Sequence, residues 1–297
     1  MPSKVANWYW ANSKRQIETV MDSENRPINP GTYFSRDEQP LRLMGKNVVI
    51  TGASGGIGYW LTKQCLEQGA KVGGCYYKSI DRLLPLLEEY PENFEAVRFN
   101  VGSATSVRRG LGSYLDRVAS CDFLFHCAGL GGKPQYLIHG DPSVARHVIE
   151  VNLMGSVLVA QTVLKTMVRQ RSGTIVNIGS IASSSPTPGV SAYAAAKGGI
   201  ESLTRSVAVE YGRRGVRAYC LRLGPVNTGM IESLPVDAKI ELARRMPDGQ
   251  LLEPNSVATQ ILESLHGHFP GVPNGETIDF GGGYLQDVVG AVGSTSL

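Results

Sequence analysis

The chain has 297 residues, 42% hydrophobic and 19% charged, with a net charge of +3, the make-up of a soluble globule that can bury a sizeable core. No run of five or six like charges occurs, which argues against nucleic acid or a membrane surface as partner. The start has no signal-like apolar run and no stretch reaches the ~18 apolar residues of a span, so a cytoplasmic location is expected.

Residues 1–44 are polar and turn-rich with one aromatic knot, Trp8-Tyr9-Trp10, and read as a partly ordered arm. From Lys46 onward short apolar runs alternate with helical patterns. Strands are expected at 47–51, 71–77, 94–101, 121–127, 173–180, 216–223 and 276–280. Helices are expected at 56–68, 81–90, 104–119, 142–170, 192–212 and 255–267. Strict β/α alternation with continuous apolar strands predicts a mostly parallel seven-stranded sheet covered on both faces, a doubly wound, single-domain Rossmann-like α/β fold. The domain is placed at 45–287, with a tail at 288–297. The five cysteines (Cys65, Cys75, Cys121, Cys127, Cys220) contain no C-x-x-C pair, and their odd number speaks against a disulfide framework. Cys127, at a strand end, is expected to be a buried, inert thiol. His126 beside it is expected to be a hydrogen-bonded core residue, not a catalyst or a ligand, and no metal site is expected.

Gly52-Ala-Ser54-Gly55-Gly56-Ile57-Gly58 follows a strand and opens a helix. Glycines there let the backbone approach a pyrophosphate, and the helix N-terminus behind them offers free N–H groups and partial positive charge. Tyr193 and Lys197 stand one helical turn apart, with Ser180 thirteen residues before Tyr193. With 12 tyrosines in the chain, ~0.4 Tyr-x-x-x-Lys pairs arise by chance, so the pair alone is weak. A second pair, Tyr59 and Lys63, lacks the upstream serine and reads as an ordinary helix face.

The Gly-x-x-x-Gly-x-Gly spacing, Cys127-Ala128-Gly129, Val151-Asn152, Ile178-Gly-Ser180, Tyr193-x-x-x-Lys197, Gly224-Pro225-Val226-Asn-Thr228 and Gly275-Glu-Thr-Ile-Asp-Phe-Gly-Gly282 together resemble the short-chain dehydrogenase/reductase family. The resemblance covers residues ~45–285, the size of one domain. Reduction of a ketone requires a weak acid at the carbonyl oxygen. A phenol ordinarily ionises near pH ~10, and an ammonium on the same helix face favours its phenolate. Tyr193 is therefore read as proton donor, Lys197 as its electrostatic partner and Ser180 as the group that orients the substrate oxygen. The resemblance implies that Lys197 also holds the nicotinamide ribose. It further implies that Asn152 interrupts its helix and supports a water linking Lys197 to solvent. The cofactor-binding set it implies is Gly52, Ser54, Gly55, Gly56, Ile57, Gly58, Tyr77, Lys78, Asn100, Val101, Cys127, Ala128, Gly129, Tyr193, Lys197, Pro225, Val226 and Thr228.

The expected cofactor is NADP(H). An acidic residue for the ribose hydroxyls would stand at Tyr76, and Lys78 two residues on can pair with a 2′-phosphate. There are departures from the family pattern. Ser54-Gly55 supplies no basic residue inside the glycine loop. Asn100 replaces an aspartate that contacts adenine, although an amide oxygen also accepts. His126-Cys127 replaces the common Asn-Asn pair.

The pattern is closest to 3-oxoacyl-acyl-carrier-protein reductases and related ketoreductases. It implies a small-molecule or acyl-thioester ketone substrate, a covering loop at 229–246, and docking of an acidic acyl carrier protein at Arg171 and Arg214. It also implies a homodimer or homotetramer through the helices at 142–170 and 192–212. Two other readings remain open: an NAD(P)-dependent dehydrogenase of another secondary alcohol, and a regulatory protein that binds the nucleotide without turnover.

Overall fold

The computed structural model describes residues 43–232, 234–246, 249–265 and 271–280. Two compact units divide the chain, Met1–Pro40 and Leu41–Leu297. All described residues lie in the second. The aromatic knot, Gly281, Gly282 and the 288–297 tail fall outside the described residues.

Seven strands form one sheet: β1 Asn47–Thr51, β2 Lys71–Tyr76, β3 Phe94–Arg98, β4 Phe123–His126, β5 Gly173–Ile178, β6 Val216–Leu223 and β7 Thr277–Phe280. Their order is β3-β2-β1-β4-β5-β6-β7 and every pairing is parallel. This is the doubly wound Rossmann-like arrangement, with its reversal of strand order between β1 and β4. Alternation along each strand feeds two cores. On one face Val48, Ile50, Phe125 and Ile178 pack with Leu61 and Ile261 from the helices Gly56–Glu67 and Pro254–Ser264. On the other, Val49, Leu124 and Ile175 meet Val159, Val163 and Val207 from the helices Gly155–Gln170 and Ser191–Tyr211.

Several elements differ from the sequence expectation. β3 stops at Arg98, short of Val101, because the chain turns at Asn100. There the Asn100 N–H donates to Ser106 Oγ at 2.9 Å and Asn100 Oδ1 accepts the Gly102 N–H at 3.0 Å. The 104–119 helix is interrupted by a π-helical turn, Arg108–Gly112, where Gly110 lies hard against Phe99 and the Arg98 carbonyl. Residues 229–246 hold two helices, Gly229–Glu232 and Val236–Arg244. The helix Pro142–Gln170 is apolar and long enough to cross a membrane, with an 18-residue stretch of mean hydropathy 1.4, which the sequence reading did not anticipate. Its Val159, Val163 and Met167 are fully buried within the second core, as in the central helix of a layered domain.

The sheet is tied to the Ser191–Tyr211 helix by a buried polar bond. Asn177 Nδ2 of β5 donates to Thr204 Oγ1 at 2.9 Å, and that hydroxyl donates to the Ile200 carbonyl at 2.8 Å. Thr204→Val preserves the shape and orphans a buried amide, which costs about 1–3 kcal/mol. A urea titration is expected to show that loss as a lower midpoint with an unchanged slope. An unchanged midpoint would mean Asn177 finds another acceptor.

Candidate active site

β1 runs into Gly52, whose φ of +67° suits a residue without a Cβ; a Cβ here would come within 2.9 Å of the Ala128 nitrogen. A Cβ on Gly56 would meet Thr228 Cγ2 at 2.3 Å. These close approaches bring residues 52–58, 127–129 and 225–228 around the crevice between β1 and β4. The Gly56–Glu67 helix starts there with no side-chain cap and no acid in its first turn. Its leading N–H groups are thus left for an anion.

A cavity of about 650 Å³ opens along this crevice. Its wall holds the glycine loop, Cys127-Ala128-Gly129, Ser180, Tyr193, Lys197, Pro225, Val226 and Thr228. The cradle, the uncapped helix and the cavity together fit a pyrophosphate-linked dinucleotide. Tyr77, Lys78, Asn100 and Val101 lie outside this wall, beyond the ends of β2 and β3. The far side of the cavity is apolar: Pro188, Val190, Met230, Ile231, Leu234 and Leu242.

Asn152 stands one layer behind the wall. It is fully buried within a π-helical turn, Glu150–Met154. Such a turn leaves helix carbonyls without their usual i+4 donor. Asn152 Nδ2 donates to the Val148 carbonyl at 2.9 Å and to the Leu130 carbonyl at 2.8 Å, and Ser156 Oγ donates to the Asn152 carbonyl at 2.6 Å. Asn152 Oδ1 accepts the Leu130 N–H at 3.3 Å. The asparagine therefore repairs the turn and anchors the segment that follows Gly129.

Lys197 is 6% exposed, and its Nζ donates to the Ile178 carbonyl at the end of β5 at 2.7 Å. That nitrogen lies 5.6 Å from the Tyr193 ring centre. Ser180 follows β5, and its Oγ accepts the Ala182 N–H at 3.2 Å, so its proton stays available to a ligand oxygen. In the second tyrosine–lysine pair, Lys63 instead pairs with Glu67 at 3.8 Å and lies over Trp60.

His126 is buried, with Nδ1 2.9 Å from Thr51 Oγ1, which also accepts the Ala128 N–H at 3.1 Å. Burial first, and the Lys197 charge second, push the imidazole down to about 3. Burial pushes the Cys127 thiol up to about 12 against the pull of Lys197, which keeps it protonated and inert at neutral pH.

Sequence reasoning missed two groups. Arg82 projects onto the glycine loop: its guanidinium stacks 4.4 Å from the Tyr59 ring and reaches the Ser54 carbonyl at 3.5 Å. Nothing local in the sequence signals this, because the contact joins two helices. The second is a polar chain through Ser183, Glu201, Arg222 and Asp279. The hydrogen bonding that Arg222 donates to Glu201, first among several causes, raises the pKa of Arg222 and so holds its charge more firmly than usual.

The family model for short chain dehydrogenases matches residues 46–239, and the chain belongs to the short-chain dehydrogenase/reductase family of NAD(H)- or NADP(H)-using oxidoreductases. Among curated relatives, the 3-oxoacyl-acyl-carrier-protein reductase FabG of Thermotoga maritima is 32% identical over 75% of this chain and 91% of its own length. A cis-4-hydroxycyclohexanecarboxylate dehydrogenase of Sinomonas cyclohexanicum is 33% identical over 72% of this chain and 86% of its own. The solved 3-oxoacyl-acyl-carrier-protein reductase of Brucella melitensis superposes with TM-score 0.73 at 26% identity, over 82% of this chain and 92% of that one.

His126 makes acid stability testable. Its folded pKa is near 3 against an ordinary 6.5, so the unfolded chain binds the extra proton between those values. The neutral imidazole therefore costs nothing above pH 6.5, and stability falls as pH drops below it, by up to about 1.4 kcal/mol per pH unit. His126→Asn keeps a partner for Thr51 without a titrating group. Its loss of Tm between pH 7 and pH 5 is expected to be smaller than that of the wild type; equal losses would show that His126 does not carry the effect.

Proposed function

We propose that the protein reduces a ketone, a 3-oxoacyl thioester or a compound of similar shape, to a secondary alcohol with NADPH. The observation that carries this is the convergence of Tyr193, Lys197 and Ser180 on one cavity with the glycine cradle. A bound dihydronicotinamide supplies the hydride to the carbonyl carbon. Ser180 donates its free O–H to the carbonyl oxygen and aims it. Tyr193 delivers the proton to that oxygen as the hydride arrives. Lys197, held by Ile178, keeps a positive charge beside the phenol. Asn152 anchors the Leu130 segment, and with Lys197 forms the path by which Tyr193 regains a proton from solvent.

The apolar far wall, with exposed Tyr136, Leu137 and Ile138 in the loop after Pro134, suits an acyl chain or a carbocycle. The kinship to a hydroxycyclohexanecarboxylate dehydrogenase supports a second reading, oxidation of a cyclic secondary alcohol on the same site. The two turns that carry Arg171 and Arg214 adjoin: a Cβ on Gly215 would lie 2.0 Å from the Arg171 carbonyl. They sit at the start of β5, whereas Ser180 follows its end, roughly 20 Å away at ~3.3 Å per residue. An acidic carrier protein docked there is better placed to serve a neighbouring subunit than this one. Half-exposed Ile149 and Met154 and exposed Val209 on the two long helices favour their pairing in a dimer or tetramer, and the cytoplasm remains the proposed location.

Tyr193→Phe removes the proton and keeps the ring, so NADPH binding by fluorescence is expected to persist while turnover falls ~10²–10⁴-fold. Lys63→Ala should leave turnover intact. Near-normal activity in the tyrosine variant, or an equal loss in the lysine variant, would move the chemistry elsewhere.

The NADPH preference rests on cations at the adenosine end. β2 ends at Tyr76 without a carboxylate, Lys78 and Arg82 are exposed there, and Arg98 Nε donates to the Tyr77 carbonyl at 3.2 Å. A charge-assisted bond to a phosphate contributes ~1.5–3 kcal/mol. Lys78→Ala and Arg82→Ala are each expected to shrink the NADPH/NADH ratio of kcat/KM roughly tenfold, near the low end of that range. Equal use of both cofactors by the wild type would remove the preference; a ratio that neither variant changes would place its origin elsewhere.

A further inference from the structure

We infer that Glu201 is a positioning residue whose carboxylate, acting through Ser183, fixes the turn carrying Ser180 against the helix carrying Tyr193 and Lys197. The inference rests on the role proposed above for Ser180.

Glu201 lies one turn beyond Lys197 and is 8% exposed. A buried carboxylate needs a charged partner and hydrogen bonds. Arg222 supplies both, with Nε 3.1 Å from Oε1 and Nη2 3.0 Å from Oε2, a two-bond fork. The remaining Nη1 of Arg222 reaches Asp279 Oδ1 at 2.9 Å. That fork already answers the charge. The further bond to Glu201, from the Ser183 hydroxyl, is therefore not required to neutralise the carboxylate.

Ser183 ends the 3₁₀ turn Ile181–Ser183, whose N-cap is Ser180. Its N–H donates to the Ser180 carbonyl at 3.0 Å, and its Oγ stands 2.8 Å from the same oxygen. A hydroxyl has one proton to give, and a carboxylate attracts it more strongly than a carbonyl does. Ser183 thus donates to Glu201 and is drawn toward the helix, and the Ser180 turn comes with it. The direction of the Ser180 O–H follows from that turn, because its Oγ is engaged by the Ala182 N–H. One polar chain then runs from β7 through β6 and the catalytic helix to Ser180. A purely structural fork between β6 and the helix would make no difference to how Ser180 acts.

The test measures kcat, KM and NADPH affinity on the full chain, with the fastest of acetoacetyl-N-acetylcysteamine, ethyl acetoacetate and cyclohexanone. Glu201→Gln and Ser183→Ala are each expected to lower kcat roughly ten- to a hundredfold through a misaimed donor, with NADPH affinity unchanged. Added to Ser180→Ala, either should produce little further loss, because the effect passes through a group already gone. Losses that multiply in the double variants would overturn the inference, as would a wild-type kcat in Ser183→Ala. Should Glu201→Gln fail to fold, Ser183→Ala and its double variant decide alone, since they remove one oxygen and leave the fork intact. A fully active Ser180→Ala would sink the role of Ser180 and this inference together. No turnover of any ketone by the wild type would instead sink the proposed function.

Discussion

A buried ammonium without a carboxylate partner is the constraint around which this end of the molecule is built. Lys197 is almost wholly enclosed, and among the described residues no acid lies within salt-bridge distance of it. An ammonium in that position is costly unless its protons are taken up. One goes to the Ile178 carbonyl, which is why the end of β5 and the second turn of the Ser191–Tyr211 helix must meet. The turn after β4 closes from the other side: a Cβ on Gly129 would sit 2.6 Å from Asn152 Oδ1 and 3.7 Å from Lys197 Nζ. The charge is felt through the surrounding side chains, helping to keep His126 neutral and opposing the rise of the Cys127 thiol. A cation left uncompensated at a cavity wall favours any electron-rich oxygen placed beside it.

The parts of the fold legible in the sequence are those decided by short-range pattern. β1 and β6 have the limits their continuous apolar runs indicate, and the glycine loop lies where its strand-to-helix context puts it. The wall of the cavity was legible through motif spacing, because Ser180, Tyr193 and Lys197 come from one strand end and one helix. Contacts between distant segments left no such trace. Glu201 carries no local mark of pairing in the sequence, because Arg222 is brought against it from β6 only by the fold. Arg82 likewise has no motif around it, and only the packing of its helix start on Tyr59 turns it toward the loop. The π turn at Arg108–Gly112 is decided by Phe99 pressing on Gly110, a contact without periodicity.

The two ends of the crevice are built on different physical terms. At the end lined by Ser180, Tyr193 and Lys197 the polar groups are buried or half-buried, and Lys197 and Asn152 are bonded to carbonyls of other segments, so their geometry is set by the packed core. At the adenosine end Lys78 and Arg82 are exposed, and Arg98 is tied to a backbone carbonyl. Exposed charges act through a screened field that salt and side-chain freedom weaken. On the proposed reading, substitutions at the adenosine end shift which nucleotide is preferred and leave the fold intact. Substitutions at the other end disturb the packing together with the proposed chemistry, because Asn152, Lys197 and Glu201 also hold the π turn, the β5 edge and the β6 fork.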